Sequence, residues 1–131
     1  MITTASLSPP PRLALAREPR LDARHAVHLP ALWLHREGPR QVVIRQVSLG
    51  GFALESEHTL LLRHLLRFQM VLPNSGKPFV LHAMIMRRFS LQNESGAPMF
   101  GASVFALDHD ARRTWSELVQ HASSHFGERA A

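Results

Sequence analysis

Alternating apolar runs separated by turn residues, followed by one stretch of helical periodicity, predict a mainly β fold. The expected architecture is a six-stranded antiparallel barrel closed by a C-terminal α-helix. Two observations carry this expectation. The apolar period stays near two through six short segments, and beyond Leu107 it changes to three and four.

Ala26 to Leu34 reads as the first strand, with Val27, Leu29, Ala31 and Trp33 on one side and Pro30 marking an edge or a bulge. Glu37-Gly38-Pro39 makes a turn. Gln41 to Val47 follows as a strand rich in β-branched residues. Gly50-Gly51 then releases the backbone, since glycine takes positive φ without steric cost, and Phe52 and Leu54 mark a short third strand.

Thr59 to Leu66 fits a helical turn or a loop packed on the core. Arg67 to Leu72 is a strand, and Pro73-Asn74-Ser75-Gly76-Lys77-Pro78 turns the chain back. Phe79 to Ser90 is a long strand, Gln92 to Pro98 a polar loop, and Met99 to Leu107 the last strand. Asp108 or Asp110 can cap the helix. Its apolar face is Ala111, Trp115, Leu118, Val119, Ala122 and Phe126.

The 131 residues suffice for one core and are too few for two ordinary domains. Ser, Thr and Pro dominate the start, so residues 1–16 are expected to be a flexible tail, 17–126 the domain and 127–131 a C-terminal tail. Hydrophobic residues make up 45% and charged residues 19%, the balance of a chain that folds. Pro9-Pro10-Pro11 interrupts the region where a signal peptide needs its apolar segment, and no window approaches a membrane span. With no cysteine, disulfides, thiolate metal sites and cysteine nucleophiles are excluded. A cytoplasmic location without membrane insertion is expected.

The net charge of +5 comes from fourteen arginines and one lysine, Lys77. Arginine suits bidentate recognition of phosphate and stacking on bases, although a GC-rich coding sequence accounts for the bias equally well. The chain lacks a P-loop, a Gly-x-Ser-x-Gly elbow and a carboxylate pair placed for acid-base work, so it is expected not to be an enzyme. His121 and His125 are four apart on the helix, but no third ligand stands near them and no metal is expected.

Two segments point to a ligand. Arg20-Leu21-Asp22-Ala23-Arg24 sets two guanidinium groups four residues apart, and Gln46-Val47-Ser48-Leu49-Gly50-Gly51 ends a strand in Ser-x-Gly-Gly. Their order and spacing resemble the PilZ domain signature, RxxxR followed by [D/N]xSxxG. Gln46 stands where that family has Asp or Asn. Met84-Ile85-Met86-Arg87 is similar to the family's strand ending in arginine, and Phe100-Gly101-Ala102-Ser103-Val104-Phe105 to its closing strand.

The resemblance spans about residues 17 to 126 and implies a PilZ-type barrel that binds the bacterial second messenger cyclic di-GMP and passes its level to a protein partner. It implies Arg20, Arg24, Gln46, Ser48, Gly50 and Gly51 as the binding residues, with Arg17 a further candidate. No other cofactor is implied. Arg20 and Arg24 would pair with phosphate or guanine and Ser48 would donate to phosphate, while the two glycines let backbone N–H groups approach. Gln46 weakens the guanine-reading half: against Asp its carboxamide has one acceptor where a carboxylate has two, and against Asn its extra methylene moves the polar head outward and adds a torsion to fix. A degenerate PilZ-like scaffold that does not bind the messenger is therefore the alternative.

Phe89 can stack on a guanine, though such a residue more often belongs to a barrel core. Arg36, Arg40, Arg45, Arg63, Arg67, Arg87 and Arg88 can line a basic face for RNA or DNA. With aromatics few and on apolar faces, nucleic acid ranks third.

Overall fold

The computed structural model describes residues 23–73, 75–89, 96–105 and 107–124. Six antiparallel strands run β1 (His25–His35), β2 (Gly38–Val47), β3 (Gly51–Glu55), β4 (Leu65–Val71), β5 (Pro78–Phe89) and β6 (Met99–Phe105). They close in the order β1-β2-β3-β6-β5-β4, and helix α1 (His109–Ala122) follows the last strand. The predicted barrel and its helix are both present.

Alternation places Ile44, Leu54, Phe68, Met70, Leu81, Ile85 and Phe100 inside, all buried. The first hairpin turns at Arg36-Glu37, with Gly38 already in β2, so the expected Glu37-Gly38-Pro39 turn is shifted by one residue. The Glu37 N–H donates to His35 Nδ1 at 3.1 Å and helps close it. Pro30 pairs in register with Val43 and stands one residue outside the Ala31–Trp33 ladder with β4, so it occupies a locally unpaired edge, just past a register shift between Ala26 and Leu29.

The Thr59–Leu66 stretch forms no helix. Leu60 is buried in the core while Leu61 and Leu62 are exposed, and β4 begins at Leu65. The loop is hooked onto β5 by Arg63 N–H to Ile85 O at 2.7 Å and Ile85 N–H to His64 O at 3.1 Å. One buried leucine and two backbone bonds therefore replace the helical turn.

Helix α1 begins as the cap chemistry predicts, with Asp108 accepting from the Ala111 N–H at 2.8 Å. Its buried face is Trp115, Leu118, Val119 and Ala122; Phe126 lies outside the described residues. The Trp115 ring packs 5.8 Å from Phe52, and Phe52 meets Phe68 edge-on at 5.5 Å. The Trp115 indole N–H donates to Ser48 O at 2.9 Å and Leu49 O at 3.2 Å. The helix thus holds the turn between β2 and β3 from behind.

That turn is closed by Ser48 N–H to Gly51 O at 2.9 Å and Gly51 N–H to Ser48 O at 3.3 Å. Neither Gly50 nor Gly51 has a positive φ, so the expected release through left-handed backbone is corrected. Gly51 is required for space instead. A Cβ there would come within 2.0 Å of the Ala102 carbonyl oxygen on β6, whereas one on Gly50 would meet nothing within 4 Å.

Two outcomes follow for chemical unfolding monitored by Trp33 fluorescence and far-UV circular dichroism. Trp115→Phe keeps an aromatic ring but leaves the Leu49 carbonyl without a donor and the Ser48 carbonyl with only its long bond from the Gly51 N–H, a loss of about 1–3 kcal/mol. Gly51→Ala forces β3 from β6 and costs about 1–3 kcal/mol, while Gly50→Ala stays within about 0.5 kcal/mol of the parent. Equal effects at the two glycines would contradict the packing role of Gly51.

Candidate functional site

A cleft of about 410 Å³ crosses the outer face of the barrel over β2, β3, β6 and β5. Register explains its shape. Gln46 pairs with Ala53, Ala53 with Gly101, and Gly101 with Arg87, so one row crosses four strands from a long side chain to another over two small residues. The next row adds Gly51 paired with Ser103. Neighbouring strands are about 4.8 Å apart, so the three steps from Gln46 to Arg87 cover about 14 Å along the sheet. The result is a trough with a floor of short side chains and polar walls.

Two bulges orient those walls. Between Ile44 and Gln46 the register shifts at Arg45, which turns Ile44 and Val47 both into the core at 0% exposure and leaves Gln46 outside. Between Ile85 and Arg87 it shifts again at Met86, keeping Ile85 inside and turning Arg87 and Phe89 to the trough side, opposite Gly101 and Met99. An extra residue is how a strand re-aims a side chain.

Arg24, Gln46, Ser48, Gly50 and Gly51 all line the trough. Arg24 is exposed just before β1, one step beyond the His25–Val47 pair and therefore beside Ser48. Arg17 and Arg20 lie outside the described residues. Ser48 Oγ donates to Gly51 O at 3.3 Å, a long bond within its own turn. Gly50 O accepts from Val104 N–H at 3.0 Å, so the four carbonyls from Ser48 to Gly51 all have donors. No hydrogen bond among the described residues occupies the Gly50 N–H. Of the two glycines only Gly50 offers an N–H to a ligand.

Among the described residues no carboxylate lines the trough, and both arginines on it are exposed. Buried Glu55, one row away, is held by Arg45. The described lining therefore presents cations and hydrogen-bond donors without a fixed anion, which suits a phosphorylated ligand. Among the described residues no cluster of three or more potential ligands can hold a metal, and no helix is long and apolar enough to cross a membrane.

The wall formed by Arg87 and Phe89 was not among the expected binding residues. Phe89 is half-buried on the trough and outside the core cluster, so of its two readings the barrel core does not apply. The Arg87 guanidinium carbon sits 4.4 Å from the Phe89 ring centroid. The sequence signal was an arginine two residues before an aromatic at a strand end, but the bulge that turns both outward leaves no mark in composition.

Comparison with known proteins agrees with this architecture. The PilZ domain of YcgR from Escherichia coli, solved with c-di-GMP, superimposes with a TM-score of 0.66 at 11% identity, covering 82% of this chain and 93% of that one. The PilZ domain of CeSA from a cellulose-synthesizing bacterium gives 0.58 at 18% identity, covering 76% and 97%. The Bacillus subtilis inhibitor of motility, MotI/DgrA, gives 0.66 at 18% identity, covering 88% of this chain and 55% of that one. No curated protein matches the sequence at a significant level. The PilZ domain family model matches residues 16–121, most of the chain and all six strands, so the chain belongs to the PilZ domain family.

Proposed function

We propose that the protein binds cyclic di-GMP in the trough and transmits its level to a protein partner, acting as a receptor without catalytic activity. The observation that carries this reading is the convergence of Arg24, Gln46, Ser48 and Gly50, whose N–H is open, on one cleft that no carboxylate lines among the described residues. A solved structural relative, the PilZ domain of YcgR, carries c-di-GMP. Arg24 pairs with a phosphodiester, Ser48 and Gly50 donate to its oxygens, and Gln46 faces a guanine edge. Hydrogen bonds to a charged group contribute roughly 1.5–3 kcal/mol each, and micromolar affinity needs about 8 kcal/mol, so several must form together. Arg20, and Arg17 with it, supply the remainder when the ligand draws their segment onto the trough. The ligand acts by binding that ordered arrangement better than the alternatives.

Passage of the signal is supported by the outer face of β4, β5 and β6. There Leu65, Val71, Val80 and Phe105 are exposed, and the face meets the trough at Ser103, which pairs with Met84. An exposed apolar face beside a ligand site is suited to a partner whose fit changes with the ligand.

Gln46 favours a second reading, a PilZ scaffold that holds a protein partner without the messenger. Nucleic-acid binding stays third because the arginines are dispersed: Arg40 pairs with Glu37 at 3.3 Å and lies over Trp33, Arg45 pairs with Glu55, and Arg87 covers Phe89.

Calorimetric titration with cyclic di-GMP tests the order of these readings. The parent is expected to bind, Arg24→Ala to bind roughly 10-fold or more weakly, and Gln46→Asp more tightly than the parent. A silent parent beside a binding Gln46→Asp would establish the scaffold. Undiminished binding by Arg24→Ala would remove the trough as the site. Retention of random RNA or DNA that fades as salt rises would favour the third reading.

A further inference from the structure

We propose that Arg87, seated on Phe89, is the residue that distinguishes guanine from adenine in the trough, reading the base from the wall opposite Gln46. The inference rests on the assignment of the trough to a cyclic dinucleotide.

The seat is built by three residues on two strands. The Arg87 guanidinium lies 4.4 Å from the Phe89 ring centroid, close enough for cation-π stacking. Phe89 in turn rests over Gly101: a Cβ at that glycine would come within 3.3 and 3.4 Å of two ring atoms and 3.5 Å of Arg87 Cγ. Gly101 thus admits the ring and the arginine stem together. Neither Arg87 nor Phe89 is drawn into the core, and among the described residues no carboxylate pairs with Arg87. The guanidinium is positioned by its ring but keeps its donors for a ligand.

The chemistry complements the loss at Gln46. Guanine presents two acceptors, O6 and N7, on one edge, and the fork of a guanidinium donates to both; adenine replaces the O6 acceptor with an amino donor that opposes the fork. A carboxylate at position 46 would read guanine through its N1–H and amino donors. Gln46 has a single acceptor for that task. Arg87 reads the opposite property of the base, its acceptors, and faces Gln46 across Ala53 and Gly101. Arg24, beside Ser48, stands where phosphate is held and has no part in the discrimination.

Cyclic di-GMP and cyclic di-AMP share their phosphates and riboses and differ only in the bases, so the ratio of their affinities isolates base reading. Titration of both into the parent, Arg87→Ala, Arg87→Lys, Phe89→Leu and Arg24→Ala, with circular dichroism as a fold control, tests the assignment. The parent is expected to prefer the guanine ligand by roughly 10-fold or more. Arg87→Ala should bring that ratio to within about two-fold, and Arg87→Lys should do the same while holding total affinity better, since it keeps the charge and loses the fork. Phe89→Leu should reduce the ratio in part. Arg24→Ala should weaken both ligands alike and leave the ratio in place. A parent that binds with an unchanged ratio in Arg87→Ala, or in Arg87→Lys, would overturn the inference and leave the site intact. A parent that binds neither dinucleotide would overturn the receptor reading, and the inference with it.

Discussion

The indole N–H of Trp115, shared between the carbonyls of Ser48 and Leu49, ties the helix to the turn on which the trough depends. Trp115 is also buried against Phe52, which touches Phe68 across the core, so one side chain joins helix, barrel interior and outer turn. A barrel of short strands has an open end where core residues would meet water. The helix covers that end with Trp115, Leu118, Val119 and Ala122. In doing so it also gives the Ser48 and Leu49 carbonyls of the turn a donor.

The trough itself is a consequence of what is missing on two adjacent strands. Gly51, Ala53, Gly101 and Ser103 place little beyond a methyl or hydroxymethyl group on the outer face of β3 and β6, and the flanking strands carry Gln46 and Arg87. Gly51 is glycine because β6 passes where its Cβ would be, whereas a Cβ on Gly101 would crowd the Phe89 ring at 3.3 Å. Close strand packing and an open floor have the same cause. Rigidity follows, since the floor belongs to a closed sheet whose backbone groups are paired and which cannot slide without breaking ladders on both sides.

Charge is arranged around that floor with little redundancy. Glu55 is buried on the outer face one row from Gln46 and would place an anion beside the site, but Arg45, the bulged residue, covers it. The same bulge that sends Ile44 and Val47 inward thus supplies both the outward Gln46 and the cation that neutralises its neighbour. Moving the extra residue by one position would return Gln46 toward the core and separate Arg45 from Glu55. The geometry of a single irregularity links core packing with the electrostatics of the trough.

Much of the architecture could be read from residue order alone. Alternation around Val42-Val43-Ile44 and Leu81 to Ile85, the Pro73–Pro78 turn and the Asp108 cap specify strands, a reversal and a helix through local physics, the pleat period and the capping of bare N–H groups. The Arg-x-x-x-Arg and Ser-x-Gly-Gly segments likewise mark the family, and Arg24, Ser48 and Gly50 do line the trough. Thr59–Leu66 was ambiguous because five leucines satisfy a helix and a packed loop equally, and its outcome depends on β5 offering Ile85 as a hydrogen-bond partner. The roles of Gly51, Phe89 and Arg87 were beyond local reading. Each is fixed by a residue some dozens of positions away or by a bulge whose position depends on the partner strand. Sequence by itself determined which segments alternate, where the chain turns and which family the pattern belongs to, because those properties arise within a few residues. Only the tertiary structure decided which side chains face the trough, because facing is set by register between strands, and register is a property of the closed barrel.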